Sequence, residues 1–185
     1  MLEGKNVNLR IAEKDDVSLI MGWWGDPQYM GEYQDVMTKT QPELEKIVLE
    51  NTIFYIIEKK DGGKIGHIAI WMIGKTMEMG FALIPSERGK GYGAEAIQLV
   101  VDHLFLTKNV VRIQVTTDVR NMASQRALEK VGFVKEGIMR KYFYAKGNHR
   151  DHFLYSIIKE EWKEPKILTN QAFHKLSNTS RAAVI

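Results

Sequence analysis

Val7, Leu9 and Ile11 alternate with polar neighbours, the period-two signature of a half-buried strand. Asp15 and Asp16 then open a helix whose apolar positions Val17, Leu19, Ile20 and Trp23/Trp24 run into Gly25-Asp26-Pro27, where glycine and proline predict its end. Thr40-Gln41-Pro42-Glu43 has capping-box spacing and predicts a second helix from about Gln41 to Glu50. From Thr52 the pattern turns β-branched and aromatic. Strands are predicted over Ile53–Glu58, Ile65–Ile73 and Met77–Ile84, with turns at Asp61-Gly62-Gly63 and Gly74-Lys75. Helical spacing returns over Ala94–Phe105, a strand follows over Val111–Thr117, and Asn121 is placed to cap a helix over Met122–Lys130 that ends at Gly132. Phe133–Tyr144 and His152–Ile158, joined at Gly147-Asn148, read as a closing hairpin.

The predicted order is therefore one strand, two helices, three strands, a helix, a strand, a helix and two strands. The helix between the fourth and fifth strands demands a parallel step, so the sheet is mixed and the class is α/β. There is no internal repeat or low-complexity run. A single domain is expected over residues 1–165, with residues 166–185 as a loosely held tail or a short docked helix.

Composition removes several functions. The 185 residues contain no cysteine, which excludes disulfides, thiolate–zinc sites and a cysteinyl intermediate. Twenty-six Lys and Arg against 23 Asp and Glu give a net charge of +3, which suits an anionic ligand but not a dedicated nucleic-acid binder. Nothing approaches the roughly 18 apolar residues that span a bilayer, and the amino terminus lacks a secretory pattern, so a cytoplasmic protein without membrane or nucleic-acid partners is expected.

The chemistry gathers at Arg88-Gly89-Lys90-Gly91-Tyr92-Gly93, between a strand and a helix. Unpaired amides at a positive helix end suit phosphate, the glycines let the backbone approach a ligand, and Arg88 and Lys90 add charge. The spacing is neither a P-loop nor the dinucleotide fingerprint. Arg88-x-x-Gly91-x-Gly93 resembles the pyrophosphate motif of the GNAT superfamily of N-acetyltransferases. Met77–Pro85 resembles that family's fourth strand, Asn121–Phe133 its following helix and turn, and Gly147–Tyr155 its closing hairpin. The likeness spans most of Val7–Trp162 and is closest to the branch of ribosomal-protein N-terminal acetyltransferases and related polyamine and small-amine acetyltransferases.

The resemblance implies a mostly antiparallel sheet of about seven strands, flanked by helices and splayed between strands four and five. Acetyl-CoA would lie in that split as cosubstrate. Its pantetheine arm would pair along Phe81, Ala82, Leu83 and Ile84, and its pyrophosphate would rest on the amides of Arg88, Gly89, Lys90, Gly91, Tyr92 and Gly93. Asn121 would bond the arm, cap its helix or do both, and Ser124 would lie close to the cofactor. A backbone amide near Phe81 or Ala82 would be the oxyanion donor.

A base is needed because a lysine-like ammonium of pKa about 10.4 has no lone pair at neutral pH. Glu78 occupies the place where many members carry a glutamate acting through water, and alternation puts it on one face with Gly80 and Ala82, small residues expected to leave room for substrate. Many members protonate the departing sulfur with a tyrosine seven residues after the asparagine, where this chain has Leu128; either the thiolate, of usual pKa about 8.5, leaves unprotonated, or Ser124, Tyr142 or Tyr144 is the expected substitute.

The acceptor is a primary amine: a peptide N-terminus, a polyamine or a small-molecule amine. The resemblance puts its selecting loops at Trp23 to Tyr33, so Trp23, Trp24, Glu32 and Tyr33 are substrate candidates. One tryptophan is expected at the amine pocket, or at a subunit contact. Asp26, Glu32 and Asp35 suit an acceptor carrying extra positive charge. His149 and His152, three apart on a strand, point to opposite faces, so no metal is expected. Arg150-Asp151 is expected to stabilise the hairpin, with contact to substrate as the alternative. The resemblance also implies a homodimer. The alternative function is a coenzyme A-binding sensor or scaffold without turnover, which Leu128 would permit.

Overall fold

A computed structural model describes residues 1–74 and 76–168. Its strands are β1 (Leu2–Glu3), β2 (Val7–Ile11), β3 (Ile53–Lys59), β4 (Lys64–Ile73), β5 (Thr76–Leu83), β6 (Arg112–Asp118), β7 (Val134–Ala145) and β8 (Asn148–Ile158). They form one sheet in the order β1-β2-β3-β4-β5-β6-β8-β7. Eight strands replace the expected seven or so because Leu2 and Glu3 pair with Leu9 and Asn8. The predicted fourth and fifth strands are β5 and β6, and theirs is the parallel pair; the other neighbours run antiparallel.

The helices are α1 (Val17–Gly25), α2 (Pro27–Met30), α3 (Gln41–Lys46), α4 (Tyr92–Thr107) and α5 (Met122–Val131). The capping box at Thr40 forms, with Thr40 N donating to Glu43 at 2.9 Å, but the helix widens into a π turn over Ile47–Asn51. Asp26 ends α1 and starts α2, its carboxylate accepting from Gln28 N at 2.8 Å, so the predicted stop is also a start.

Alternation on the strands builds two cores, one on each face. Tyr55, Ile57, Ile68, Met79, Ile113 and Tyr155 pack with the α4 residues Ile97, Leu99 and Val100 and with Leu128 and Val131 of α5. Phe54, Ile56 and Ala69 face the other way, against Val17, Ile20, Trp24, Tyr29, Leu44 and Val48 from α1 to α3 and the turn beyond. Each fully buried aliphatic or aromatic side chain contributes about 1.5–3 kcal/mol. The chain after β8 docks on the first core through Asp102 of α4, whose buried carboxylate accepts from Gln98, from Trp162 Nε1 at 2.8 Å and from the amides of Lys166, Ile167 and Leu168. The rest of the expected tail, 169–185, lies outside the described residues.

Candidate active site

β5 and β6 pair only through Met77 with Ile113 and Glu78 with Gln114. Beyond that rung, among the described residues, no strand lies against the free edge of β5. A cleft opens there with Gly80 and Phe81 on one wall, Val115 to Asp118 on the other, Asn121 and Ser124 at one end, and Tyr33, Gln34 and His152 completing it. The structure thus brings together Phe81, Asn121, Ser124 and Tyr33.

Glu78 sits at the closed end of the split, 5% exposed, with Gln114 Nε2 donating to its Oε2 at 2.9 Å. It points to the face bearing α1 to α3, since Met79 and Phe81 face the α4 core while Ala69, Trp71 and Ala82 belong to the opposite cluster. The room expected beside it is smaller than alternation suggested. The ring of Trp71, register partner of Glu78, lies over Gly80, where a Cβ would meet it at 3.3 Å, and Tyr29 Oη donates to the Ala82 carbonyl at 3.3 Å. Trp71 and Gln114 were not legible as site residues, since each touches Glu78 only through sheet register.

At the open end, Gly89 and Gly91 adopt φ of 76° and 88°, and Gly91 is the N-cap of α4. No atom lies within 4 Å of a Cβ built on either glycine, so these positions require glycine for their dihedrals alone. The first amides of a 16-residue helix point outward beside the free β5 edge. This arrangement fits a ligand with an extended amide-bearing arm and a pyrophosphate, as coenzyme A has. Arg88 departs from its expected role as phosphate counter-charge: its guanidinium donates to the carbonyls of Leu83 (2.9 Å), Gln28 (3.2 Å) and Tyr29 (2.7 Å), lashing α2 to the end of β5. Lys90 pairs with Glu87 at 2.9 Å.

Asn121 caps α5, its Oδ1 accepting from Ser124 N at 3.1 Å, which leaves its amide nitrogen as a donor toward the cleft. Leu128 is fully buried in the core and carries no proton to give. Tyr142 and Tyr144 are 44% and 58% exposed on β7, away from the cleft lining, which corrects the expectation that either reaches the sulfur directly. Tyr142 packs instead on His152, ring centroids 5.5 Å apart. His149 is exposed and His152 buried, as opposite faces require. Arg150 Nε donates to the Ala145 carbonyl, and Asp151 accepts from Lys141 N, so both brace the hairpin.

Among the acceptor candidates, Trp24 is a core residue, 8% exposed, instead of a pocket wall. Trp23 stacks on Tyr29 at 5.3 Å and is half-buried. Tyr33 Oη donates to the Arg120 carbonyl at 3.2 Å, so the loop after α2 straps over the cleft; Glu32 beside it is exposed. Burial, then the Glu32 carboxylate, holds the Tyr33 hydroxyl above the usual tyrosine range. Asp35 accepts from Lys146 N at 3.0 Å, tying that strap to the β7–β8 turn. Asp26 and Asp35 are thus structural carboxylates.

A sheet that parts at its parallel rung, leaving one strand edge for an extended ligand and a helix terminus for its anionic end, defines an acyltransferase of the kind the sequence motif implied. Comparison with known proteins makes this specific: residues 6–134 match the Acetyltransferase (GNAT) domain, and the chain belongs to that family of N-acetyltransferases, which act with acetyl-CoA. The probable N-acetyltransferase YjcK of Bacillus subtilis (strain 168) is 33% identical over 177 residues, covering 85% of this chain and 97% of that protein. The structure of ribosomal-protein-S5-alanine acetyltransferase from Vibrio fischeri shares the fold with a TM-score of 0.76 at 24% identity, covering 87% of this chain and 97% of that one. Spermidine N-acetyltransferase from Vibrio cholerae, in complex with CoA and spermine, does so at 0.75 and 22%, covering 85% and 98%. No helix among the described residues is long and apolar enough to cross a membrane.

Proposed function

We propose that this chain binds acetyl-CoA along the free edge of β5 and that Glu78 is the base that prepares a primary amine to receive the acetyl group. The observation that carries the reading is the two-rung pairing of β5 with β6, which leaves Phe81 to Leu83 for the pantetheine arm and aims it from the α4 terminus toward Glu78. Acetyl-CoA supplies the acetyl group as a thioester. The amides of Gly89 to Gly93 hold its pyrophosphate, and Asn121 Nδ2 donates to its arm while Oδ1 caps α5. The acceptor approaches over the face carrying Glu78, Gln114 and Trp71. There the carboxylate takes a proton from the ammonium, directly or through a water, and the indole face favours the incoming cation.

The acceptor is a polyamine or a peptide N-terminus, the two classes named among the structural relatives, with small-molecule amines as the third class the motifs allow. The reaction is placed in the cytoplasm, and the working unit is a homodimer. β7 supports pairing of two copies: it is an outer strand with Val134, Ile138 and Tyr144 at least half exposed, and such an edge offers unpaired backbone groups to a partner. Sedimentation at micromolar concentration tests the dimer.

The functional test is thiol release from acetyl-CoA across spermidine, N-terminal peptides and aminoglycosides, with coenzyme A binding followed by calorimetry. Turnover concentrated in one class identifies the acceptor. Binding without turnover on any amine would favour the sensor module, and no binding would overturn the placement of the cofactor.

A further inference from the structure

His152 is a buried titratable group that the reading above leaves unused. It is 8% exposed, lines the same cleft as Phe81, Asn121 and Ser124, and neither ring nitrogen has a hydrogen-bond partner among the described residues. A buried polar group without a partner costs roughly 1–3 kcal/mol, so an imidazole held this way calls for a ligand in the cleft. Register places it opposite Asp118, on the sheet face that also carries Gln114 and Glu78. Glu78 lies at the closed end of the split on β5, whereas His152 lies on β8 at the open end. The two groups therefore flank the split from different strands, at the register levels of Gln114 and Asp118.

We propose that His152 is the proton carrier that serves the departing sulfur, the task for which Leu128 has no group. As the amine nitrogen bonds to the acetyl carbon and the thioester C–S bond breaks, the nitrogen must lose a proton and the sulfur must gain one. Glu78 takes the first proton from the acceptor ammonium. His152 takes the second from the newly bonded nitrogen and passes it to the sulfur, ending neutral as it began. No other reactant is needed, and the first proton leaves to solvent.

The surroundings suit a transient carrier. Burial lowers the imidazole pKa, against a weaker upward pull from Asp118, so the ring rests neutral and an acquired proton is readily surrendered to a thiolate, whose usual pKa is about 8.5. Asp118 is itself held by Arg120 at 3.0 Å and Arg150 at 3.4 Å, which limits its pull on the ring. The rings of Tyr142 and Phe143, at 5.5 and 5.3 Å, fix the imidazole from β7, and Tyr33 covers the cleft from the strap. Tyr142, expected as the acid from sequence, becomes a positioning residue.

This proposal rests on the placement of acetyl-CoA above, and the experiment separates the two. In the full chain, His152→Gln should lower kcat at least 30-fold while the KM for both substrates and the calorimetric Kd for coenzyme A stay within threefold. Nitrogen-15 spectra of the histidine rings should show the His152 resonances, assigned by their loss in the variant, shifting when coenzyme A is added. Imidazole in the buffer should restore part of the activity of His152→Ala, and His152→Phe, which keeps the packing, should be as slow as the glutamine variant. If coenzyme A binds with no change in the His152 resonances, or His152→Gln keeps kcat within threefold, His152 carries no proton. If the wild type neither binds coenzyme A nor releases thiol, the cofactor placement fails instead.

Discussion

Glu78 and Gln114 face each other across the last paired rung of β5 and β6, with the Gln114 amide donating to the carboxylate at 2.9 Å. Immediately beyond this pair the strands part. The hydrogen bond therefore fixes the carboxylate at the apex of the split, where an amine meeting the end of an extended thioester would stand. Glu78→Gln keeps the shape and a hydrogen-bond partner for Gln114 but cannot accept a proton. Its kcat should fall about 100-fold with little change in thermal midpoint, within the range for losing a general base. Gln114→Leu should cost only a few-fold in kcat, since it removes the orienting donor and leaves the base. Steady-state thiol release measures both, and an unaffected Glu78→Gln enzyme would rule out the base.

Arg88 offers a sharper test because its observed role differs from the expected one. Three carbonyls accept from its guanidinium, tying α2 to the end of β5. Arg88→Ala should destabilise the ligand-free protein by about 1.5–3 kcal/mol in urea, the usual scale for hydrogen bonds to a charged group. A phosphate-binding arginine would show no such loss without ligand. Lys90→Ala, which removes an exposed pair with Glu87, should change stability by less than about 1 kcal/mol.

The strand and helix registers were largely legible in the sequence. The predicted span Met122–Lys130 is α5 to within one residue, and Met77–Ile84 is β5 shifted by one at each end. These elements carry their own caps, turns and periodicity. What stayed hidden depends on distant partners. Leu2–Glu3 is a strand only because Leu9 and Asn8 lie beside it, and α2 hides in a Gly-Asp-Pro signal that reads equally as an end. The two-residue extent of the β5–β6 pairing has no sequence signature, so only the family motif pointed to the split. His152 was weighed only as a metal ligand and set aside on strand geometry; its burial comes from Tyr142 and Phe143 across the hairpin, which no local pattern reveals.

Two glycines separate conformational from steric need. At Gly91 an alanine would meet open space but adopt φ near 88°, so Gly91→Ala should cost about 1–2 kcal/mol and weaken coenzyme A binding by distorting the α4 cap. At Gly66 a Cβ would fall 2.1 Å from the Ala82 carbonyl oxygen, a backbone atom that cannot turn aside. Gly66→Ala should destabilise more than Gly91→Ala and displace β5 from β4. Urea denaturation of the two variants decides the order.

His67 contributes to the acid sensitivity of the fold. Its ring is buried between Phe54 and Tyr29, its Nδ1 is 2.7 Å from Tyr29 Oη, and burial lowers its pKa to about 3. The unfolded chain takes up this proton near pH 6.5 and the folded chain does not, so the unfolded state is favoured as pH falls. The stabilisation is complete above pH 6.5 and is lost progressively between pH 6.5 and 3. His103 and His152, also lowered by burial, add to the same slope. His67→Phe should flatten the dependence of unfolding free energy on pH across that window by about one proton, at the cost of the Tyr29 contact. An unchanged slope would mean that the ring titrates normally in the folded state.

Asp102 holds the far end of the chain by a different logic. Fully buried on α4, it accepts from Trp162 Nε1 and from three successive amides, Lys166 to Leu168, so a single carboxylate anchors the segment that follows β8. Lys166 Nζ also donates to the Val131 carbonyl at 3.0 Å, stitching the same segment to α5. Asp102→Ala would leave five donors, Gln98 Nε2 among them, without their acceptor near the core, and the loss should reach about 3 kcal/mol or more. Because the anchored residues lie on the α4 and α5 side, away from Glu78, the effect should fall on stability and not on kcat measured below the melting transition. Trypsin provides the local readout: cleavage after Lys166 should be slow in the wild type and rapid in Asp102→Ala. Equal cleavage rates in the two proteins would show that the segment is held by Leu168 and the apolar contacts alone.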